Sequence, residues 1–163
     1  MRPELSIIIV NWNGGELLGR CVESIIERPP AVAYEIVVVD NASSDESLAL
    51  LRAGRGAATL GARLRIIENS ENAGFGRANN QAFAVTAAPL LFLLNPDTEV
   101  THGAVDKLIA AVRSGEKIGA AGPRLLNEDG SLQVSVWRNP PTAWEMLVTG
   151  LRLHRLLPKR LRG

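Results

Sequence analysis

The chain has 163 residues, 46% apolar and 21% charged, which is enough to bury one α/β core and too ordinary a composition for a disordered protein. Its net charge of +1 hides an asymmetry: residues 1–150 hold 13 Lys/Arg against 17 Asp/Glu, whereas residues 151–163 hold five basic residues and no acid. The mildly acidic body argues against nucleic acid as a partner, and the single Cys21 excludes a disulfide framework, which fits a reducing, cytoplasmic setting.

Met1 to Glu4 leads straight into an apolar run, so no signal peptide is expected ahead of it. Leu5–Val10 is a short β-branched run, the pattern of a strand buried on both faces of a parallel sheet. The polar loop Asn11–Gly15 follows. Leu17, Leu18, Cys21 and Ile25 then recur at helical spacing until Pro29-Pro30 stops the helix. Glu35–Val39 is the second predicted strand, closed by Asp40–Asp45, where Ser44 or Asp45 is placed to cap a helix carrying Leu48 and Leu51. Residues 53–62, rich in Gly and Ala without a period, read as a surface loop. Leu64–Glu68 is a third strand, Asn69–Gly76 a loop and Arg77–Thr86 a helix. Leu90–Leu94 is a fourth buried strand, ended by Asn95–Thr98 and followed by a helix with Val105, Leu108, Ile109 and Val112. Strand and helix alternating at this spacing predict an α/β fold, a doubly wound and mostly parallel sheet. The pattern then changes: Ile118–Leu126, the turn Asn127–Gly130 and Leu132–Trp137 predict a hairpin, and Thr142 is placed to cap a last helix with Met146, Leu147 and Leu151. No apolar stretch approaches the roughly 18 residues of a membrane-spanning helix.

Ligands of open parallel sheets bind beyond the carboxyl ends of the strands. Four loops converge there, Asn11–Gly15, Asp40–Asp45, Asn69–Gly76 and Asn95–Thr98, all rich in Asn, Asp, Ser and Gly. Neither a dinucleotide fingerprint nor a phosphate-binding Gly-Lys-Ser/Thr loop is present. Asp40 admits two readings: a turn or capping acid, and a carboxylate that accepts hydrogen bonds from a base or ribose. Asn95-Pro-Asp97-Thr98 likewise reads as a type I turn, or as a rigid strand-end carboxylate for a hard divalent cation that clamps a diphosphate. His102 and His154 have no partner at metal-ligand spacing, and Trp12, Trp137 and Trp144 suit packing as well as stacking.

Four segments in order carry a resemblance: Ser6–Asn13 (SIIIVNWN), Val38–Asp45 (VVDNASSD), Asn72–Asn80 (NAGFGRANN) and Leu93–Thr98 (LLNPDT). Together they resemble family 2 glycosyltransferases of the GT-A fold, with their Rossmann-like nucleotide-sugar-binding half. Within that family they look like the bacterial rhamnosyltransferase-like branch, from which Gly122–Gln133 is also familiar. The resemblance covers residues 5 to about 140. It implies an inverting transfer of a sugar, with rhamnose from deoxythymidine-diphosphate rhamnose (dTDP-rhamnose) as the best guess. The implied acceptor is a polysaccharide or lipid-linked glycan of the cell envelope.

By the same resemblance, Val10, Asn11 and Trp12 hold the nucleoside and Asp40 accepts from its base or ribose. Asn72, Gly74 and Arg77 line the donor pocket, Asn95 stands in the short acidic motif, and Asp97 binds Mg²⁺ or Mn²⁺. Many family members have Asp where this chain has Asn95. The family's catalytic base lies in a downstream acidic pair, and after Pro141 the chain holds only Glu145 as an acid. The base is therefore expected beyond residue 163, and the chain is expected to be truncated and inactive alone. The implied organisation is a nucleotide-sugar-binding domain over 1–141 and a basic helical tail over 142–163. That tail mixes leucines with cations and is suited to peripheral contact with the inner face of the cell membrane. The alternative reading is a donor-binding module without transfer activity. A small nucleotidyltransferase is disfavoured, because Asn11–Gly15 lacks a basic residue.

Overall fold

Leu5–Asn11 forms β1, and all seven of its residues are buried, as an unbroken β-branched run requires of a strand covered on both faces. The computed structural model describes residues 2–133. Three further strands lie parallel to β1: Tyr34–Asp40 (β2), Leu64–Glu68 (β3) and Leu90–Leu94 (β4), in the order β3-β2-β1-β4. Parallel neighbours need long connections. These contain the helices Glu16–Glu27 (α1), Ser47–Ala53 (α2), Arg55–Leu60 (α3) and Phe75–Val85 (α4), and Ala104–Arg113 (α5) follows β4. The predicted doubly wound α/β build is what forms.

The two sheet faces are covered unequally. Ile7, Ile9, Ile36, Val38 and Leu94 point to one side and pack against Leu18, Cys21, Val22 and Ile25 of α1, Leu51 of α2, Leu60 of α3 and Ile109 of α5. Each such aliphatic side chain contributes about 1.5–3 kcal/mol on burial. The other face holds Ile8, Val10, Val37 and Val39 under Ala78 and Ala82 of α4. Leu91 and Leu93 share that second face by their register with Ser6 and Ile8, and both stay exposed.

Residues 53–62 are not the predicted loop. They form α3 and then a 3₁₀ turn over Gly61–Arg63. The buried Leu60 anchors this segment, and Gly56 lets it approach α1, since a Cβ there would meet Val22 Cγ1 at 3.1 Å. Tertiary packing overrides the weak local pattern. The helix expected from Ser44 or Asp45 begins at Ser47, with Asp45 Oδ1 accepting from Ser47 N at 3.1 Å.

The chain divides into two units, Met1–Ala121 and Gly122–Gly163. In the described part of the second, the predicted turn exists: Asn127 N donates to Ser131 O (2.8 Å) and Gly130 N to Asn127 O (2.9 Å). Among the described residues the flanking segments form one antiparallel bridge, between Leu126 and Leu132, and no strand. Both leucines are exposed, so no layer among the described residues covers the run. The boundary expected at residue 141, the helix after Thr142, Trp137, Trp144, His154 and the basic tail lie outside the described residues.

Candidate functional site

The strand order reverses at one place. From β1 the chain moves to β2 and β3 on one side, then to β4 on the other. The crossover between β3 and β4, through α4, uses the other face of the sheet, and the loops after β1 and β4 lie side by side at the carboxyl edge, where open α/β sheets bind ligands. A cavity of about 410 Å³ lies there, bounded by Val10, Trp12 and Gly14 after β1, by Asn41 and Asn72, and by Asn95 and Asp97 after β4. Trp12 and Phe75 also face it, each 59% exposed. An aromatic ring with that much free surface beside polar groups suits stacking on a planar or sugar ligand.

Beneath the cavity is a buried polar bracket. Asn11 and Asp40 are register partners at the ends of β1 and β2, and both turn to the α1 and α2 side of the sheet. Asn11 Nδ2 donates to Asp40 Oδ1 (2.8 Å) and to Ser47 Oγ (2.8 Å), with Ser43 Oγ at 3.1 Å. Asp40 Oδ1 also accepts from Ser43 Oγ (2.6 Å), and its Oδ2 accepts from Ser43 N (3.0 Å). Asp40 is 4% exposed, with both oxygens occupied. Asn11 Oδ1 is the buried side-chain atom without a hydrogen-bond partner among the described residues. It faces Gly14, where a Cβ would collide with it, so the close approach of loop and bracket requires glycine there.

The next residues turn the other way. Ala42 has a left-handed φ of 62°, and Asn41 faces the cavity while Ser43 returns to the bracket. Asn13, with φ of 52°, ties the β1 loop to this turn: its Oδ1 accepts from Ser44 N at 2.8 Å. Asp45 joins the same loops. Its Oδ1 accepts from Ser47 Oγ (2.5 Å) and its Oδ2 from Gly15 N (2.8 Å). The Ser47 hydroxyl, then the Ser47 and Gly15 N–H groups, hold the Asp45 carboxyl below its ordinary range.

Asp97 stands in contrast. It is exposed on the Asn95–Thr98 turn, where Thr98 N donates to Asn95 O at 3.2 Å, and its carboxylate has no hydrogen-bond partner among the described residues. The inner face of α1 holds the backbone of this loop. Cys21 Sγ donates to Asn95 O (3.5 Å), and Ser24 Oγ accepts from Val100 N (2.9 Å) while donating to Cys21 O (2.7 Å). Arg20 and Glu99 add an exposed ion pair. Burial, with Asp97 and Glu99 nearby, pushes the Cys21 thiol up to about 12, so it stays protonated as a donor.

Of the residues singled out in the sequence, Val10, Trp12, Asn72, Asn95 and Asp97 come together around the cavity. Asn11 and Asp40 lie beneath it in the bracket. Gly74 caps α4, and Arg77 is exposed on the first turn of that helix, outside the cavity wall. Sequence reasoning passed over Asn13, Gly14, Leu17, Asn41, Phe75 and Pro96. Strand alternation carried a signal for Asn41: positions 36, 38 and 40 share one face, so 41 starts toward the other. No group of three or more His, Cys, Asp or Glu fit to hold a metal occurs among the described residues. One free carboxylate beside the Asn95 amide fits a hard cation whose other ligands come from phosphate and water. Nor is any described helix long and apolar enough to cross a membrane.

Residues 6–159 match the sequence model of glycosyl transferase family 2. The succinoglycan biosynthesis protein ExoU of Rhizobium meliloti is 32% identical over 110 residues, covering 66% of this chain and 30% of ExoU. The N-acetylglucosaminyl-diphospho-decaprenol L-rhamnosyltransferase of Mycobacterium tuberculosis is 25% identical over 154 residues, covering 86% of this chain and 47% of that protein. Among solved structures, the mannosyltransferase PcManGT from Pyrobaculum calidifontis in complex with GDP-Man and Mn²⁺ matches with a TM-score of 0.61 at 24% identity. That match covers 69% of this chain and 33% of PcManGT, and it bears on the fold alone. The chain spans less than half the length of each of these proteins. With a GT-A-like sheet and a match over nearly its whole length, the chain belongs to glycosyl transferase family 2.

Proposed function

We propose that the cavity binds a nucleoside diphosphate sugar, and that the sugar passes to a glycan or lipid-linked acceptor in cell-envelope glycan synthesis. The observation that carries this is the switch-point cavity with the exposed, unpartnered Asp97 on its rim. Asp97, with the Asn95 amide oxygen beside it, would hold Mg²⁺ or Mn²⁺ against the diphosphate. When bound there, the cation supplies positive charge to the departing diphosphate. Trp12 and Phe75 offer faces for base or sugar, and the exposed Asn72 rather than Asp40 meets the nucleoside, because Asp40's oxygens are already taken. The relatives' names favour envelope glycans, and dTDP-rhamnose is the donor proposed from the rhamnosyltransferase among them.

The transfer itself would be a single displacement with inversion, in which a carboxylate removes the acceptor's hydroxyl proton. Asp97 is the one carboxylate lining the cavity among the described residues, and its place is with the cation. The described residues thus account for donor binding, and the base is proposed to lie outside them. The 163-residue chain should bind donor without turning it over. The alternative, a donor-binding module, shares this behaviour and parts from it when a longer reading frame is assayed. The basic residues 151–163 lie outside the described residues; peripheral membrane contact, proposed on their charge, should show as salt-sensitive association with anionic vesicles.

The test is a calorimetric screen of nucleotide sugars with and without Mn²⁺, beside a radiolabelled-donor assay. Metal-dependent binding by the short chain without turnover supports the reading. Absence of binding to every nucleotide sugar would sink it, and full turnover by the short chain would show that the base is already present.

A further inference from the structure

A line of four amide side chains runs from α4 to the cavity wall. Gln81 Nε2 donates to Asn69 Oδ1 (2.9 Å) and Gln81 Oε1 accepts from Asn69 Nδ2 (2.9 Å). Asn69 Nδ2 also donates to Asn41 Oδ1 (3.1 Å), and Asn41 Nδ2 donates to Asn72 Oδ1 (2.7 Å). A side-chain amide has nearly the same shape when turned over, so its direction must come from its partners. Here two backbone groups fix it. Ala73 N donates to Asn41 Oδ1 (2.9 Å) and Gly74 N to Asn72 Oδ1 (2.9 Å). A backbone N–H only donates, so each atom facing it must be oxygen. Asn72 lines the cavity, and its Nδ2, with both hydrogens, has no hydrogen-bond partner among the described residues.

We infer that the Gly74 and Ala73 N–H groups, steadied from behind by the Gln81–Asn69–Asn41 relay, hold Asn72 as a donor, so that the ligand atom read there is a keto oxygen of a nucleobase and not an exocyclic amino group. This rests on the cavity being a nucleotide-sugar site: the Asp97 rim takes the diphosphate, which leaves the base to the amide wall. Uracil, thymine and guanine carry a keto oxygen. Adenine carries none, and its amino group sets N–H against N–H. Asn69 and Gln81 do not line the cavity; they are positioning residues.

The experiment titrates the whole chain by calorimetry with UDP, TDP, GDP and ADP in Mn²⁺. At least one keto-bearing nucleotide should bind about tenfold or more tightly than ADP, the usual effect of a donor left facing a donor once the bound base covers it. Asn72→Asp, nearly the same shape but an acceptor, should bring that ratio toward one. Gln81→Ala should narrow the ratio with the thermal midpoint held, and Gln81→Glu, which sets a carboxylate oxygen against Asn69 Oδ1, should not restore it. ADP bound as tightly as the others, or a ratio indifferent to Asn72→Asp, overturns the inference while the nucleotide-sugar reading stands. Failure to bind any nucleoside diphosphate overturns that reading and the inference with it.

Discussion

Asp40 and Asp97 each sit where a parallel strand hands over to its loop, one after β2 and one just past β4, yet their surroundings are opposite. Asp40 is buried, continues the core-facing alternation of Ile36 and Val38, and spends both oxygens on Asn11 and Ser43. Asp97 lies three residues past the last buried position of β4, on a turn whose backbone is held from behind by α1, and it faces solvent and the cavity. The same residue type at the same sheet edge thus splices two loops in one case and is left available for a ligand in the other. What decides is how many residues separate the acid from the sheet's alternating register, and which layer it then meets.

The sharpest way to break this comparison is Asp97→Ala. If Asp97 is the cation's carboxylate, metal-dependent affinity for a nucleoside diphosphate should fall roughly a hundredfold, with the thermal midpoint unchanged. Calorimetry with and without Mn²⁺ reads the first and a melting curve the second. Metal dependence that survives would place the cation elsewhere. Asp40→Ala should do the reverse. It removes the shared acceptor of Asn11 Nδ2, Ser43 Oγ and Ser43 N, costing about 2–3 kcal/mol of folding stability. Denaturant unfolding measures this, and nucleotide affinity should change little under conditions where the variant stays folded. A loss of affinity in a variant of normal stability would return Asp40 to the ligand.

Smaller effects sharpen the contrast. Ser24→Ala removes the acceptor of Val100 N and should cost about 1 kcal/mol, with a several-fold weaker metal-dependent affinity because the Asp97 loop loses a tether. Ser24→Thr keeps the hydroxyl and should recover the affinity; if both variants bind as the parent does, α1 does not position that loop. The smallest change is expected at Asp45, whose folded-state carboxyl is depressed by Ser47 and Gly15. A depressed acid contributes stability above its unfolded value of 3.8, and that contribution is lost as pH falls through its lower folded value. The difference in melting temperature between the parent and Asp45→Asn should therefore shrink below about pH 3.8. A difference independent of pH would show that the Asp45 charge adds nothing.

The sheet was legible because its strands are short runs dominated by Ile, Val and Leu. Leu64–Glu68 and Leu90–Leu94 match their predicted bounds, and β1 and β2 extend the predicted runs by one or two residues. What escaped was anything set by contact between distant segments. Arg55–Leu60 has no period of its own and becomes helical through Leu60 and the close approach at Gly56. Ile118–Leu126 reads as a strand by composition, but strands need a surface to bury against, and Leu126 stays exposed. At the cavity, motif likeness drew attention to Asp40 over its neighbour. Extending the two-residue alternation of β2 by one step separates them, because it sends Asp40 under α2 and Asn41 toward Asn72. The amide relay to Gln81 joins positions 41, 69, 72 and 81, and no local spacing announces it.

The left-handed residue Ala42 stands at that parting of the ways. Because the chain reverses there, one side of a short segment answers to the fold and the other to the ligand. Substitutions at 72, the exposed amide that Asn41 steadies, can explore new specificities while Asp40 and Ser43 keep the loops joined, so the fold separates what must stay fixed from what is free to vary. The arrangement has a cost, since a non-glycine residue at positive φ carries about 1 kcal/mol of backbone strain. That strain is modest beside the freedom it gives a family scaffold to change its substrates without rebuilding its core.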